Sequence, residues 1–449
     1  MNNNDQLDSF DSSKRRIALE TLLADGGLPE ISETAGINMH LHSFFSFNAS
    51  DYSPSRLAWE ARKQGLYAAG LCDFDVLEGL EEFLDAGYML GLRTSVSLET
   101  RAFFTQMASM DINSPGEPGV TYVMGAGFAR VPQENSPQYS MLLSLQNQAD
   151  ARNRSLVNRI NDVLPELAID YDEDVMRLTP GGCPTERHIV RAYGGKMKSV
   201  FDAPARFNKY LADLLGITEQ EAVTVAGNNV ELEEKLRGKL VKRGGVGYEP
   251  PTAKTFPPLN SFIDWVRECE AIPMIAWLDG TTPGEKDAGK LVERMVDLGA
   301  CAINIIPDRN HNISDLAARE LKIQKLDEIV RLAQEYNMPV NIGTEMNKAG
   351  QPDFDDLNCH ALRPFRQIFM DGARIMVGHT LMSRFANYSY TGAAENEYAG
   401  KTADKNEFFA RVGALPVFTR RLVEKISEKE PDQALSVFKD SAHAGSWLL

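Results

Sequence analysis

Eight short apolar runs, rich in small and β-branched residues, recur along this 449-residue chain, and each ends in polar or ionisable residues. They are INMHLH (37–42), YAAGLCD (67–73), TSVSLE (94–99), TYVMGAGF (121–128), PMIAWLD (273–279), CAINIIPD (301–308), PVNIGTE (339–345) and RIMVGH (374–379). A strand buried on both faces reads as such a run, because neither face meets solvent. Amphipathic stretches separate most of them. SPSRLAWEARKQG, with Ser53 as N-cap and Gly65 as its stop, is followed later by EGLEEFLDAGYMLG, GEKDAGKLVERMVDLG and LKIQKLDEIVRLAQEYN. Repeated strand–helix units build a parallel sheet. The expected fold is therefore α/β, a distorted TIM-like (β/α)7–8 barrel with a helical insertion; a doubly wound open sheet is the alternative.

The pattern breaks once. Residues 129–258 carry helical periodicity and no convincing strand, and they end in the Gly/Pro-rich GGVGYEPPTAKTFPP. This predicts four parts: an N-terminal tail and helix (1–35), the first half of a barrel (36–128), a mostly helical insertion (129–258), and the second half of the barrel with C-terminal helices (259–449).

Composition narrows the function classes. Lys and Arg number 47 against 63 Asp and Glu, a formal net charge of −16, so counterion release on duplex DNA offers little and no duplex DNA partner is expected. Five cysteines without a CxxC pair supply neither a disulfide framework nor a zinc ribbon. MNNNDQLDSF has no basic and apolar leader pattern, and no run approaches the ~20 apolar residues of a membrane span. A cytoplasmic protein with no membrane partner is expected.

The ends of the runs are where chemistry gathers. His40 and His42 close the first, and strand alternation points both imidazoles to one face. Asp73, Glu99, Asp279, Asp308, Glu345 and His379 close others. In a parallel barrel these ends share one rim, where active sites of this architecture sit. Acids and histidines converging there repel or stay unpaired unless a cation joins them, so a rim site for a divalent metal is predicted. The plainer reading is that polar residues follow any strand as it leaves the core, and that an H-x-H pair is merely packed or solvated.

From Ile37 onward the chain resembles the PHP family, the polymerase-and-histidinol-phosphatase metal-dependent phosphoesterases. The resemblance lies in His40-Leu41-His42-Ser43, Ala49-Ser50-Asp51, Ser53-Pro54, Ala61 through Leu66, Cys72-Asp73-Phe74-Asp75, Gly79 through Phe83, and Leu98-Glu99, about 65 residues in all. TERHIVRA around His188 is similar to a further segment of that family. The resemblance implies metal ligands at His40, His42, Glu99 and His379, with Asp73 as an extra ligand or an orienter. It also implies departures: ligand histidines of the family fall on Phe74, Tyr122 and Trp277, and the closing D-x-H reads Val377-Gly378-His379. One divalent ion (Zn, Mn or Fe) is expected, or two if Glu345 or Asp279 joins. A small anionic substrate is implied only by this resemblance.

Beyond the ligands, Asp73 and Asp279 are the expected proton-handling carboxylates. Arg101, His311 and Lys348 are expected to hold anionic groups of the substrate, with Arg309 and Arg384 as further cations near strand ends. The basic run Lys235, Arg237, Lys239, Lys242, Arg243 reads as a solvated helix end. P-loop, GxGxxG and GxSxG patterns are absent. Three functions remain open: a PHP-type hydrolase of a phosphomonoester or small nucleotide, a degenerate PHP barrel that binds a small molecule without catalysis, and an amidohydrolase-type metal hydrolase using His188 or His311.

Overall fold

The computed structural model describes residues 3–32 and 36–449; residues 1, 2 and 33–35 of the expected N-terminal stretch lie outside the described residues. Among the described residues one seven-stranded sheet forms in sequential order: β1 (Ile37–Leu41), β2 (Ala68–Phe74), β3 (Arg93–Phe103), β4 (Val120–Ala126), β5 (Ile272–Trp277), β6 (Ala302–Ile305) and β7 (Val340–Ile342). It curls until β7 meets β1. Leu41 bridges Glu345, His42 N–H donates to Glu345 O at 3.0 Å, and Glu345 N–H donates to His40 O at 2.8 Å. Gly343 permits this seam, since a Cβ there would stand 2.4 Å from the His40 backbone nitrogen. The result is a nearly closed, distorted TIM-like barrel.

Two expectations need correction. First, β4 runs antiparallel to both β3 and β5. The connection from Phe103 to Val120 holds only a 3-10 turn, Thr105–Met107. A parallel return would need a crossover of a dozen or more residues, usually helical, so the chain hairpins back instead. Second, RIMVGH (374–379) is not an eighth strand but the middle of the helix Arg366–Ala386. That helix bonds Tyr67 through Arg374 and Ser95 through Thr380, and it lays His379 against Gly127. These contacts lie before β2, near the start of β3 and after antiparallel β4, so the helix crosses under the N-terminal ends of the parallel strands.

The helices between the strands fill the outer layer. Ser53 caps Pro54–Lys63 by accepting from Arg56 N–H at 3.0 Å, and Gly65 follows with φ +72°. Leu80–Leu90, Ala288–Asp297 and Leu316–Glu335 bury Phe83, Leu291 and Ile329 against the sheet. Between β4 and β5 the chain forms the helices Pro137–Val163, Glu186–Val200, Pro204–Leu215, Glu219–Ala226 and Asn229–Leu240. They bury a core of their own around Ile160, Ile189, Tyr193, Leu211 and Leu236. No described helix is long and apolar enough to cross a membrane.

Candidate metal centre

At the C-terminal mouth of the parallel strands, β1 and β3 bring three buried side chains together. His40 Nε2 lies 3.3 Å from His42 Nε2, and each stands 3.4 Å from Glu99 Oε2. His40 is 1% exposed, His42 0% and Glu99 3%. Among the described residues this is the one group of three or more His, Cys, Asp or Glu side chains able to share an ion. Glu99 Oε2 is buried without a hydrogen bond.

The spacing itself tests the fit of a cation. Ligands held 2.0–2.1 Å from a tetrahedral centre lie about 3.3–3.4 Å from one another. The three measured separations match one face of such a tetrahedron. His40 and Glu99 also line a cavity of about 620 Å3, which leaves the remaining face open. Three protein ligands with an open position is the arrangement of catalytic rather than structural sites.

Burial alone would push His40 down, but the Cys72 thiol and the Glu99 carboxylate beside it outweigh burial and hold His40 well above its ordinary value. Burial and the neighbouring His40 push His42 well below its own, and burial raises Glu99.

Asp73 stands behind this cluster. Its carboxylate accepts from Ser43 N–H (2.7 Å), Ser43 Oγ–H (2.6 Å) and Ser46 Oγ–H (2.6 Å). Burial raises it to about 6 in spite of these bonds. Ser46 Oγ lies 3.3 Å from His42 Nδ1. With the serine proton committed to Asp73, His42 Nδ1 must be the donor, so His42 Nε2 presents its lone pair to the cluster.

The other expected residues are placed variously. Glu345 stands beside the group, not in it: its carboxylate accepts from Arg309 at 2.7 Å, and despite burial that guanidinium holds it down to about 2. Glu345 and Met346 both take positive φ, +65° and +55°, where the chain turns off β7. His379 is not brought to the group. It lies under the barrel, fully buried, where its Nδ1 accepts from Tyr390 N–H at 3.1 Å. Asp279 lines the cavity, ion-paired to Lys322 at 2.7 Å and bonded to Thr281, which together hold its carboxyl low against burial.

Arg101 lines the cavity two residues beyond Glu99 and pairs with Glu117 at 3.0 Å. Lys348 is exposed on a neighbouring groove, and His311 lies outside the cavity wall. Arg384 pairs with Glu81. His188 is buried in a helix cap, where its Nδ1 accepts from Thr185 N–H.

The aromatic departures are visible. Phe74 stacks on His42 with ring centres 4.7 Å apart, and Tyr122 faces the same cavity. Trp277 is 2% exposed. The basic run is solvated only in part: Lys235 and Arg243 are exposed, whereas Arg237 and Lys242 line the cavity and grip Glu186, Lys242 at 2.8 Å. Arg152, Arg187 and Lys322 join the wall from positions that no local pattern marked. Seven Arg and Lys side chains thus face five acids there, in a molecule of net charge −16.

No protein-family model matches the chain, and no curated protein matches it. Among solved structures, an amidohydrolase from Chromobacterium violaceum with bound sulfate and no metal is similar at 16% identity and a TM-score of 0.47, over 74% of this chain and 97% of the other. A protein from Bifidobacterium adolescentis described as a candidate metal-dependent phosphoesterase is similar at 16% identity and a TM-score of 0.46, over 76% and 98%. At TM-scores below 0.5 neither likeness says what this chain does.

Proposed function

We propose that this chain is a metal-dependent hydrolase of the PHP type, acting on a phosphoester of a small anionic molecule. The observation that carries the reading is the buried triangle of His40 Nε2, His42 Nε2 and Glu99 Oε2, with an unbonded carboxylate oxygen, opening on a cation-rich cavity. A divalent ion held there (Zn, Mn or Fe) supplies Lewis acidity and a water of lowered pKa.

The chain's own residues do the rest. Asp73, through Ser46, fixes the His42 tautomer. Arg309 and Lys322 give the cavity positive charge for a phosphoryl group, while Glu345 and Asp279 hold those cations in place. In the reaction the ester P–O bond gives way to a bond with the oxygen of water. Asp279, kept ionised by Lys322, accepts the proton that water gives up and passes it to the alcohol oxygen as it leaves. Phe74 and Tyr122 occupy space where, by the resemblance, further ligand histidines would stand, which favours a single ion.

The same stacking of Phe74 on His42 favours a second reading, a barrel that binds its ligand without turning it over. The two are separated by stripping the protein with EDTA, adding back Mn, Zn or Fe, and assaying 4-nitrophenyl phosphate and 4-nitroacetanilide. Metal-restored phosphatase activity, lost in Glu99→Gln, is expected. Amide hydrolysis alone would move the protein to the amidohydrolase type. No turnover of either, with metal still bound, would leave the binding reading.

A further inference from the structure

Beside the metal cavity lies a second cavity of about 360 Å3, and the two share Arg101, Arg152, Glu186 and Lys242. The second cavity is a trough floored by the helix Pro137–Val163 and walled by residues 241–256, and the shared side chains stand between it and the first. The wall is pinned. Gln148 Nε2 donates to Lys254 O at 2.9 Å, Arg152 Nη1 to Thr255 O at 2.7 Å, and Arg159 Nε to Gly247 O at 2.8 Å. Arg101 and Arg152 both lie against the Phe256 ring, at 5.0 and 4.5 Å from its centre, so their guanidinium groups are fixed before any ligand arrives.

The outer trough is basic beyond its internal pairing. Arg101, Arg152, Arg159, Lys242, Arg243 and Lys254 line it. Against them stand Glu117, Glu186 and Glu249, which pair with Arg101, Lys242 and Arg159. Arg152 faces Asp75 at 4.0 Å. Two cations are left over: Arg243 and Lys254 are exposed with no ion pair among the described residues. In a chain of net charge −16, a concave surplus of positive charge beside the His40–His42–Glu99 cavity draws in anions that the rest of the surface repels. Arg101 follows Glu99 by two residues on one strand, so its Cα is about 7 Å farther out along the barrel wall.

We propose that this trough is a subsite for a second phosphate-class anionic group of the substrate, remote from the group that meets His40, His42 and Glu99. It rests on the hydrolase reading for the identity of the first group, while the subsite itself is defined by the trough. The helical insertion then selects substrates carrying two separated anions over those carrying one.

Two measurements test it. The metal-loaded enzyme is assayed with phenyl phosphate and with benzene-1,4-diyl bis(phosphate), in wild type and in the Arg243→Gln/Lys254→Gln double variant, whose exposed positions spare the core. The wild type is expected to prefer the bis(phosphate) in kcat/KM, and the double variant to lose that preference on the order of tenfold. Separately, calorimetry on EDTA-treated protein measures binding of the bis(phosphate) with no ion present. Weaker binding in the double variant, and weakening of wild-type binding by NaCl, are expected. Equal kcat/KM for the two esters in wild type, or unchanged calorimetric affinity in the variant, overturns the subsite. If no ester is turned over, the hydrolase reading fails, and calorimetry alone decides whether the trough binds the anion.

Discussion

At the scale of single residues, the proposed metal group depends on a side chain outside the His40–His42–Glu99 triangle. Asp73 commits the Ser46 proton, and Ser46 in turn fixes which nitrogen of His42 carries hydrogen. Asp73→Asn keeps the shape but can offer Ser46 an N–H instead of an acceptor, so the relay reverses. Metal affinity is expected to fall by about 10- to 100-fold, measured by competition with a chelator; unchanged affinity would show that His42 needs no orienter. A second residue carries a pH signature. Asp355 is 3% exposed, its Oδ2 has no hydrogen bond, and burial together with the charge of Asp308 raises it from 3.8 to about 8. Its folded value exceeds its unfolded one, so its favourable contribution is complete below about pH 4 and is lost as pH rises through 8, at roughly 1.4 kcal/mol per unit. Asp355→Asn should therefore unfold like wild type near pH 4 and at a progressively higher temperature than wild type as pH rises from about 4 to about 8, with a constant gap above that; parallel Tm curves would contradict this. Both His40 and His42 were legible in sequence because a two-residue period on a buried strand leaves them one direction to face. Asp355 was not, since nothing local distinguishes a buried loop carboxyl from a solvated one.

Among the elements, the helix Arg366–Ala386 shows where sequence reading fails and why. Its middle, RIMVGH, is a short apolar run, and over six residues a buried helix and a buried strand look alike. The wider spacing of Phe369, Ala373, Met376 or Val377, and Thr380 carries the helical period, and that window is what decides. The error moved His379 from under the barrel to its mouth. The reversed β4 had a signal too, in the lack of an amphipathic helix between 104 and 119. The helix sits so close to β7 that a Cβ on Gly372 would fall 1.9 Å from Val340 O. Backbone cannot yield as a side-chain tip does, so Gly372→Ala should cost about 2–3 kcal/mol or prevent folding, read from the urea midpoint. A midpoint equal to wild type would mean the helix does not pack on β7 in this way.

For the molecule as a whole, the barrel order was foreseeable from seven of the eight runs, but the lining of the cavity was not. Arg152, Arg187 and Arg237 come from the helices between β4 and β5 and Lys242 from the turn after the last of them, and only three-dimensional packing turns them toward the strand ends. An acidic surface around a basic cavity makes anion capture sensitive to screening. KM for a phosphoester is expected to rise several-fold between about 0.05 and 0.5 M NaCl, with kcat changing less; an unchanged KM would deny the cavity its electrostatic role. All of this depends on a cation between β1 and β3. Elemental analysis of the purified chain, beside His42→Ala and Glu99→Gln variants that remain folded, tests that dependence most directly. The account predicts about one divalent ion per wild-type chain and loss of it in both variants. A wild-type chain that takes up no Zn, Mn or Fe, or variants that hold as much as wild type, would contradict it.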